Sequence, residues 1–293
     1  MRGNREVSLA NVLIAGCGSV GIALGTLLAS DAHLVWGLRR RTELLPPSIR
    51  PFAADLTVPK TLQALPSSLD FAFYTAAADR SDDEAYRAAY VEGLRNLLDA
   101  LAGQNQQPRR MLFTSSTGVY AQSSGEWVDE TSPTQAADCS GIRLLEGECL
   151  LLGSQFPATV LRLGGIYGPG RTRLVERVRK GLAVCAEGPP VYTNRIHRDD
   201  CAGALRHLMN LPHPDRLYLG VDHEPAEQWT VLRWLATQLG VPSPQAGPSS
   251  EPHTRRPHGS KRCRNSKLVA SGYVFRYPTF REGYQALLTQ EMP

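Results

Sequence analysis

Lysine is scarce in this chain. Lys60, Lys180, Lys261 and Lys267 are the whole supply in 293 residues, so nearly all of the 32 basic side chains are arginine. No basic run is long, and the net charge of +4 is modest, which argues against a nucleic-acid partner. The densest basic stretches are 39–41 and 255–264, and the second reads as a solvated face. The six cysteines include no C-x-x-C pair. That excludes the usual zinc spacing and a disulfide framework, so no metal is expected and a reducing, cytoplasmic setting is. Residues 1–8 are polar, without an apolar stretch of signal-peptide length, and no later run is apolar enough to span a bilayer. No membrane partner is therefore expected, and no internal repeat is visible.

What is present begins with a short apolar run, 12–15, that ends on Gly16, Gly18 and Gly21 and passes at once into an apolar helical pattern. In this G-x-G-x-x-G spacing the first glycine permits a tight turn and the second lets a pyrophosphate approach the backbone. Gly21 and Gly25 let the helix lie close to a sheet. Ser19 and Val20 open that helix, whose N-terminus offers unpaired N–H groups to an anion. A second strand is expected over 32–37. An acid at its end would select NAD, but Gly37 stands there, followed by Arg39 and Arg40. Guanidinium groups suit the extra phosphate of NADP, so NADP is the expected cofactor and NAD the alternative.

Strands over 50–54 and 69–75 follow, the first ending at Asp55 and Leu56, the second running into Ala76, Ala77 and Ala78. Tyr86, Tyr90, Leu94, Leu97, Leu98 and Leu101 recur at helical spacing, so 81–102 reads as one helix. A strand over 110–114 leads into Thr114, Ser115 and Ser116. Alternation of this kind predicts an α/β fold with a doubly wound parallel sheet, a Rossmann domain, whose ligands lie beyond the carboxyl ends of the strands. Further on, helices are expected over 139–152, 171–182 and 201–210, strands over 159–163 and 217–221, and a Pro- and Ser-rich loop over 241–257.

Together these features resemble the extended short-chain dehydrogenase/reductase family, which includes NAD(P)-dependent epimerases and dehydratases. The resemblance runs from Val12 to Tyr284. It rests on the glycine fingerprint, Asp55–Leu56, the run from Thr114 to Tyr120 with Asp129 and Glu130, and Leu161 to Arg171. Asn194 to Asp200, and Ser260 to Asn265 with Gly272 and Tyr273, add to it. It implies an NAD(P)-binding Rossmann domain at 8–168 and a smaller C-terminal substrate-binding region at 169–293, of which about 195–240 returns to the Rossmann body.

In that family a Tyr gives or takes a proton while hydride moves at the nicotinamide, and a Lys four residues later lowers its pKa. By resemblance the two places fall to Cys139 and Arg143. No lysine supplies a substitute, because Leu56, Glu176, Pro257 and Cys263 stand four residues before the four lysines. The family's serine is present as Ser116, and Tyr90 stands where its helical Asn is usual. The catalytic candidates are accordingly Ser116, Tyr120, Tyr90, Cys139 and Arg143. Cys139 has a plain alternative as a small residue at a helix start, and Tyr120 as a packing residue. Arg171 and Arg195 are candidates for an anionic group of a small-molecule substrate, beside Ser116. His197 borders the same pocket by resemblance, with a structural histidine as the alternative. The family often forms homodimers.

Two functions stand. One is an NADP-dependent oxidoreductase or epimerase/dehydratase acting on a small polar, sugar-like substrate. The other is a catalytically impaired NADPH-binding redox sensor or scaffold.

Overall fold

The computed structural model describes residues 9–136, 138–185, 187–247 and 259–291. The polar segment 1–8 and the 248–257 part of the expected loop lie outside them.

Val12, Leu13, Ile14 and Ala15 are all fully buried. A strand apolar on both faces belongs inside a parallel sheet covered on both sides. That strand, β1 (Asn11–Ala15), is joined by β2 (Leu34–Arg39), β3 (Arg50–Ala53), β4 (Phe71–Tyr74), β5 (Arg110–Ser116), β6 (Ala158–Leu163) and β7 (Leu217–Gly220). Their order in the sheet is β3–β2–β1–β4–β5–β6–β7, and the pairs from β3 to β5 run parallel. This is the expected doubly wound α/β fold. The order reverses between β1 and β4, the kind of switch point where such sheets hold ligands. Ala15 pairs with both Leu38 and Tyr74, Arg39 with Ala53, and Tyr74 with Phe113. These registers bring the carboxyl ends of five strands to one edge.

α1 (Ser19–Ser30) packs through Val20, Leu24 and Leu28. The single helix expected over 81–102 is interrupted. α2 (Asp83–Arg87), N-capped by the Asp82 carboxylate, gives way to a π turn (Ala88–Glu92) before α3 (Gly93–Gly103). A π turn leaves a carbonyl without its helical partner, and the Tyr74 hydroxyl donates to the carbonyl of Ala89 there. α4 (Cys139–Leu152) starts on Asp138, whose carboxylate accepts from the Gly141 amide at 2.8 Å.

The chain divides into two compact units. Of the described residues, the first holds those up to Ser115 with Asp138–Leu161 and Ala202–Leu217, and the second holds those from Ser116 to 136, those within Arg162–Cys201 and those from Tyr218 onward. The second unit is built from short pairings. Ser124–Val128 runs parallel to Ser260–Cys263, and Gly165–Tyr167 parallel to Arg195–His197. Its apolar core gathers Val175, Val178, Val231, Leu235 and Phe280. The basic helix expected over 171–182 spans Arg173–Arg179, and part of the expected loop forms a strand, Gln245–Ala246, beside Val184–Cys185.

Candidate active site

The glycine turn caps the carboxyl end of β1. Gly16 has φ +77°, and a Cβ there would lie 2.3 Å from the backbone of Ala76, just past β4. Only glycine fits, because both the left-handed backbone and the space forbid a side chain. The amides of Gly16 and Cys17 both donate to the Leu38 carbonyl at 3.0 Å, and Thr75 Oγ1 donates to the Gly16 carbonyl at 3.0 Å. The turn is thus held by both strands that flank β1.

α1 begins directly after it, with no side-chain cap at Gly18 and no acid in its first turn. Its positive end is therefore left open to an anion. The Ser19 hydroxyl is buried there without a hydrogen-bond partner. Unsatisfied buried hydroxyls are rare in native folds. This one, a bare helix end and a cradle with no room for Cβ all fit a bound diphosphate.

Around the turn the strand ends add specific groups. Arg39 Nη1 donates to the Cys17 carbonyl at 3.1 Å, so its guanidinium is fixed over the glycine loop. Gly37 has no room for an acid. A Cβ there would lie 2.8 Å from Ile49 and 3.1 Å from Cys17 Sγ. Burial pushes the Cys17 thiol up to about 12, against the pull of Arg39, so it stays protonated. Arg40 pairs with Asp79 at 2.6 Å. Burial raises the Asp55 carboxyl, but hydrogen bonds from the Thr57 hydroxyl and amide outweigh it and hold the group below its ordinary range. The buried Leu56 offers its carbonyl to Asn96. Ala76 and Ala78 are half-buried and Ala77 is exposed. Thr114 Oγ1 donates to the Tyr74 carbonyl, and Ser115 Oγ donates to the buried Glu148 at 2.5 Å.

The catalytic candidates fall into two groups. Tyr90, Cys139 and Arg143 lie in the first unit, Ser116 and Tyr120 in the second. Tyr90 sits in the π turn, edge-on to Phe113 at 6.4 Å. Cys139 is the first residue of α4 and half-buried. Arg143 clamps Asp83 through Nε and Nη2, both at 2.9 Å, and Glu146 through Nη1. Hydrogen bonds and the charges of those carboxylates push its pKa up. Ser116 Oγ accepts from the Gly118 amide at 3.0 Å. Tyr120 is buried, donates to the Asp129 carbonyl and accepts from Arg162 Nη1 at 2.7 Å. Burial, opposed by Arg162, lifts its phenol to about 12. Its own carbonyl accepts from the buried Lys261 Nζ at 2.8 Å.

Of the substrate candidates, Arg195 and His197 are buried on one short strand, while Arg171 is exposed beside its bridge to Gly168. His197 Nδ1 accepts from the Asp199 amide at 3.1 Å, and burial pulls the imidazole down to about 4 against the charge of Asp199. Near Arg195, Asp222 Oδ2 and the Tyr167 hydroxyl are buried without partners. Asp79, Glu148 and Asp222 are not among the residues the sequence marks, and Lys261 is marked only as one of four lysines and within the 260–265 motif. Glu148 left a signal, since it shares the buried stripe of α4 with Leu144 and Leu151. Asp79 left none, because its partner is 39 residues away. Among the described residues no His, Cys, Asp and Glu cluster could hold a metal, and no helix is long and apolar enough to cross a membrane.

Residues 12–215 match the model of the NAD dependent epimerase/dehydratase family. The chain belongs to that family. It is 39% identical to a solved protein of Methylobacillus flagellatus assigned to the NAD-dependent epimerase/dehydratases, which it matches over 98% of its own length and 100% of that chain at a TM-score of 0.82. It is 28% identical over 264 residues to the 3-diazoavenalumate denitrifying reductase of a Streptomyces species, covering 82% of this chain and 84% of that one. Protein YeeZ of Escherichia coli is 32% identical over 160 residues, so the match spans 53% of this chain and about half, 55%, of that relative.

Proposed function

We propose that the chain is an NADP-dependent oxidoreductase of the epimerase/dehydratase family acting on a small polar substrate. The observation that carries the reading is the end of β2. Gly37 leaves no space for the acid that would select NAD, and Arg39 stands fixed over the glycine turn on the Cys17 carbonyl. Gly16, Gly18 and Ser19 would hold the diphosphate, Arg39 the 2′-phosphate, and Asp55 with Leu56 the adenosine end. The nicotinamide, when bound, supplies a hydride donor or acceptor. The name of the Streptomyces relative, a reductase, supports net reduction as the reaction class. Ser116 is the residue we assign to orienting the substrate oxygen. Tyr120 is assigned to packing, because both of its polar ends are engaged and its phenol is held near 12.

The redox-sensor reading is favoured by one observation, the commitment of Arg143 to Asp83 and Glu146. A two-part experiment tests the enzyme reading, and hydride transfer to or from any substrate excludes the sensor as the main function. Fluorescence titration with NADPH and with NADH is expected to show tighter NADPH binding, and loss of both would sink the enzyme reading. Ser116→Ala is expected to cut turnover about ten-fold or more with NADPH affinity unchanged, whereas unchanged turnover removes Ser116 from the mechanism.

A further inference from the structure

Arg39 and Arg40 are neighbours in sequence but are held in different ways. Arg39 rests on a neutral carbonyl, and among the described residues no carboxylate lies within ion-pair distance of it. Arg40 faces a carboxylate. Its Nη2 lies 2.6 Å from Asp79 Oδ2, with both side chains more than half exposed. Asp55 adds a second negative charge within electrostatic reach of the same guanidinium.

The sheet order gives this pair its meaning. β1 lies between β2 and β4, Arg40 directly follows β2, and Asp79 lies on the segment that leaves β4. The ion pair therefore closes across the carboxyl end of β1, where Gly16 and Gly18 form the cradle. A carboxylate held there acts on a phosphate dianion through Arg40, by neutralising one of the two cations available to it.

We propose that Asp79 is a specificity-determining residue that weakens the hold of this site on a 2′-phosphate by occupying Arg40, leaving Arg39 as the principal phosphate reader. The proposal rests on the NADP reading and refines it. A 2′-phosphate must displace Asp79 from Arg40 or share the guanidinium with it. A ligand with a free 2′-hydroxyl meets neither cost, so Asp79 acts selectively against phosphorylated ligands. Exposed ion pairs have small effects, about two- to five-fold in affinity, and salt screens them.

The test titrates the full chain and its variants with NADPH, NADH and 2′,5′-ADP. Asp79→Asn is expected to bind NADPH and 2′,5′-ADP about two- to five-fold more tightly with NADH unchanged. The gain is expected to vanish when Arg40→Gln is added, and to shrink at high salt. The proposal is overturned if NADH affinity moves in step, if no affinity moves, or if the gain survives without Arg40. The underlying reading is judged separately by Arg39→Gln, which should abolish any preference of the parent chain for NADPH over NADH. If the parent shows no such preference, that reading falls. A preference newly created by Asp79→Asn would still support the role of Asp79, and none in either chain overturns both.

Discussion

A carboxyl with one oxygen unpartnered inside the second unit ties stability to pH. Burial pushes Asp222 up to about 8, with Arg195 opposing and Glu224 and Asp200 adding to the rise. The folded chain thus holds this proton from its ordinary value of 3.8 to about pH 8, while the unfolded chain has released it. Over that window the folded state binds more protons, so the contribution of this group to stability falls as pH rises and levels off above 8. His197 has the opposite sign. Its imidazole, pulled from 6.5 to about 4, is neutral in the fold where the unfolded chain is protonated, so its contribution is lost as pH drops below 6.5. Above about pH 6.5 the two therefore separate. Asp222→Asn is expected to flatten the decline of Tm between about pH 6.5 and 9. An equal decline in parent and variant would show that this carboxyl is not the group that titrates.

At the scale of elements, α4 meets the π turn closely at Gly147. A Cβ at Gly147 would lie 2.5 Å from the Tyr90 carbonyl oxygen and 3.3 Å from the ring of Phe113. Backbone cannot yield as a flexible side chain does. Gly147→Ala is expected to cost about 1–3 kcal/mol through overpacking, net of the better helix propensity of alanine. The urea midpoint should fall with an unchanged slope, and a midpoint at or above that of the parent would show that the turn relaxes freely. The π turn itself lies beyond sequence reading. Tyr86, Tyr90 and Leu94 keep helical spacing through it, and one widened turn leaves that spacing almost intact. What marks it is Tyr74, whose hydroxyl donates to the Ala89 carbonyl within the turn.

At the scale of the molecule, the sheet was legible because its signals are local. Buried runs such as 12–15 end in turn residues, and apolar periodicity follows each of them. The open helix end at Gly18 was legible for the same reason. The partners of the site residues were not, since they are set by topology. Arg143 looks like a free cation in sequence, yet Asp83 lies 60 residues away. Arg40 looks like a twin of Arg39 until β1 is placed between β2 and β4. Lys261 reads as one basic residue among several, yet it reaches back 141 residues to the carbonyl of Tyr120.

The division of the chain has a consequence for descent. The backbone passes from one unit to the other after Ser115, Ala137, Leu161, Cys201 and Leu217. No single stretch of gene encodes either unit, so recombination cannot exchange one unit for another with one cut and one splice. The two halves of such a protein are inherited together, and a change in one is selected in the presence of the other.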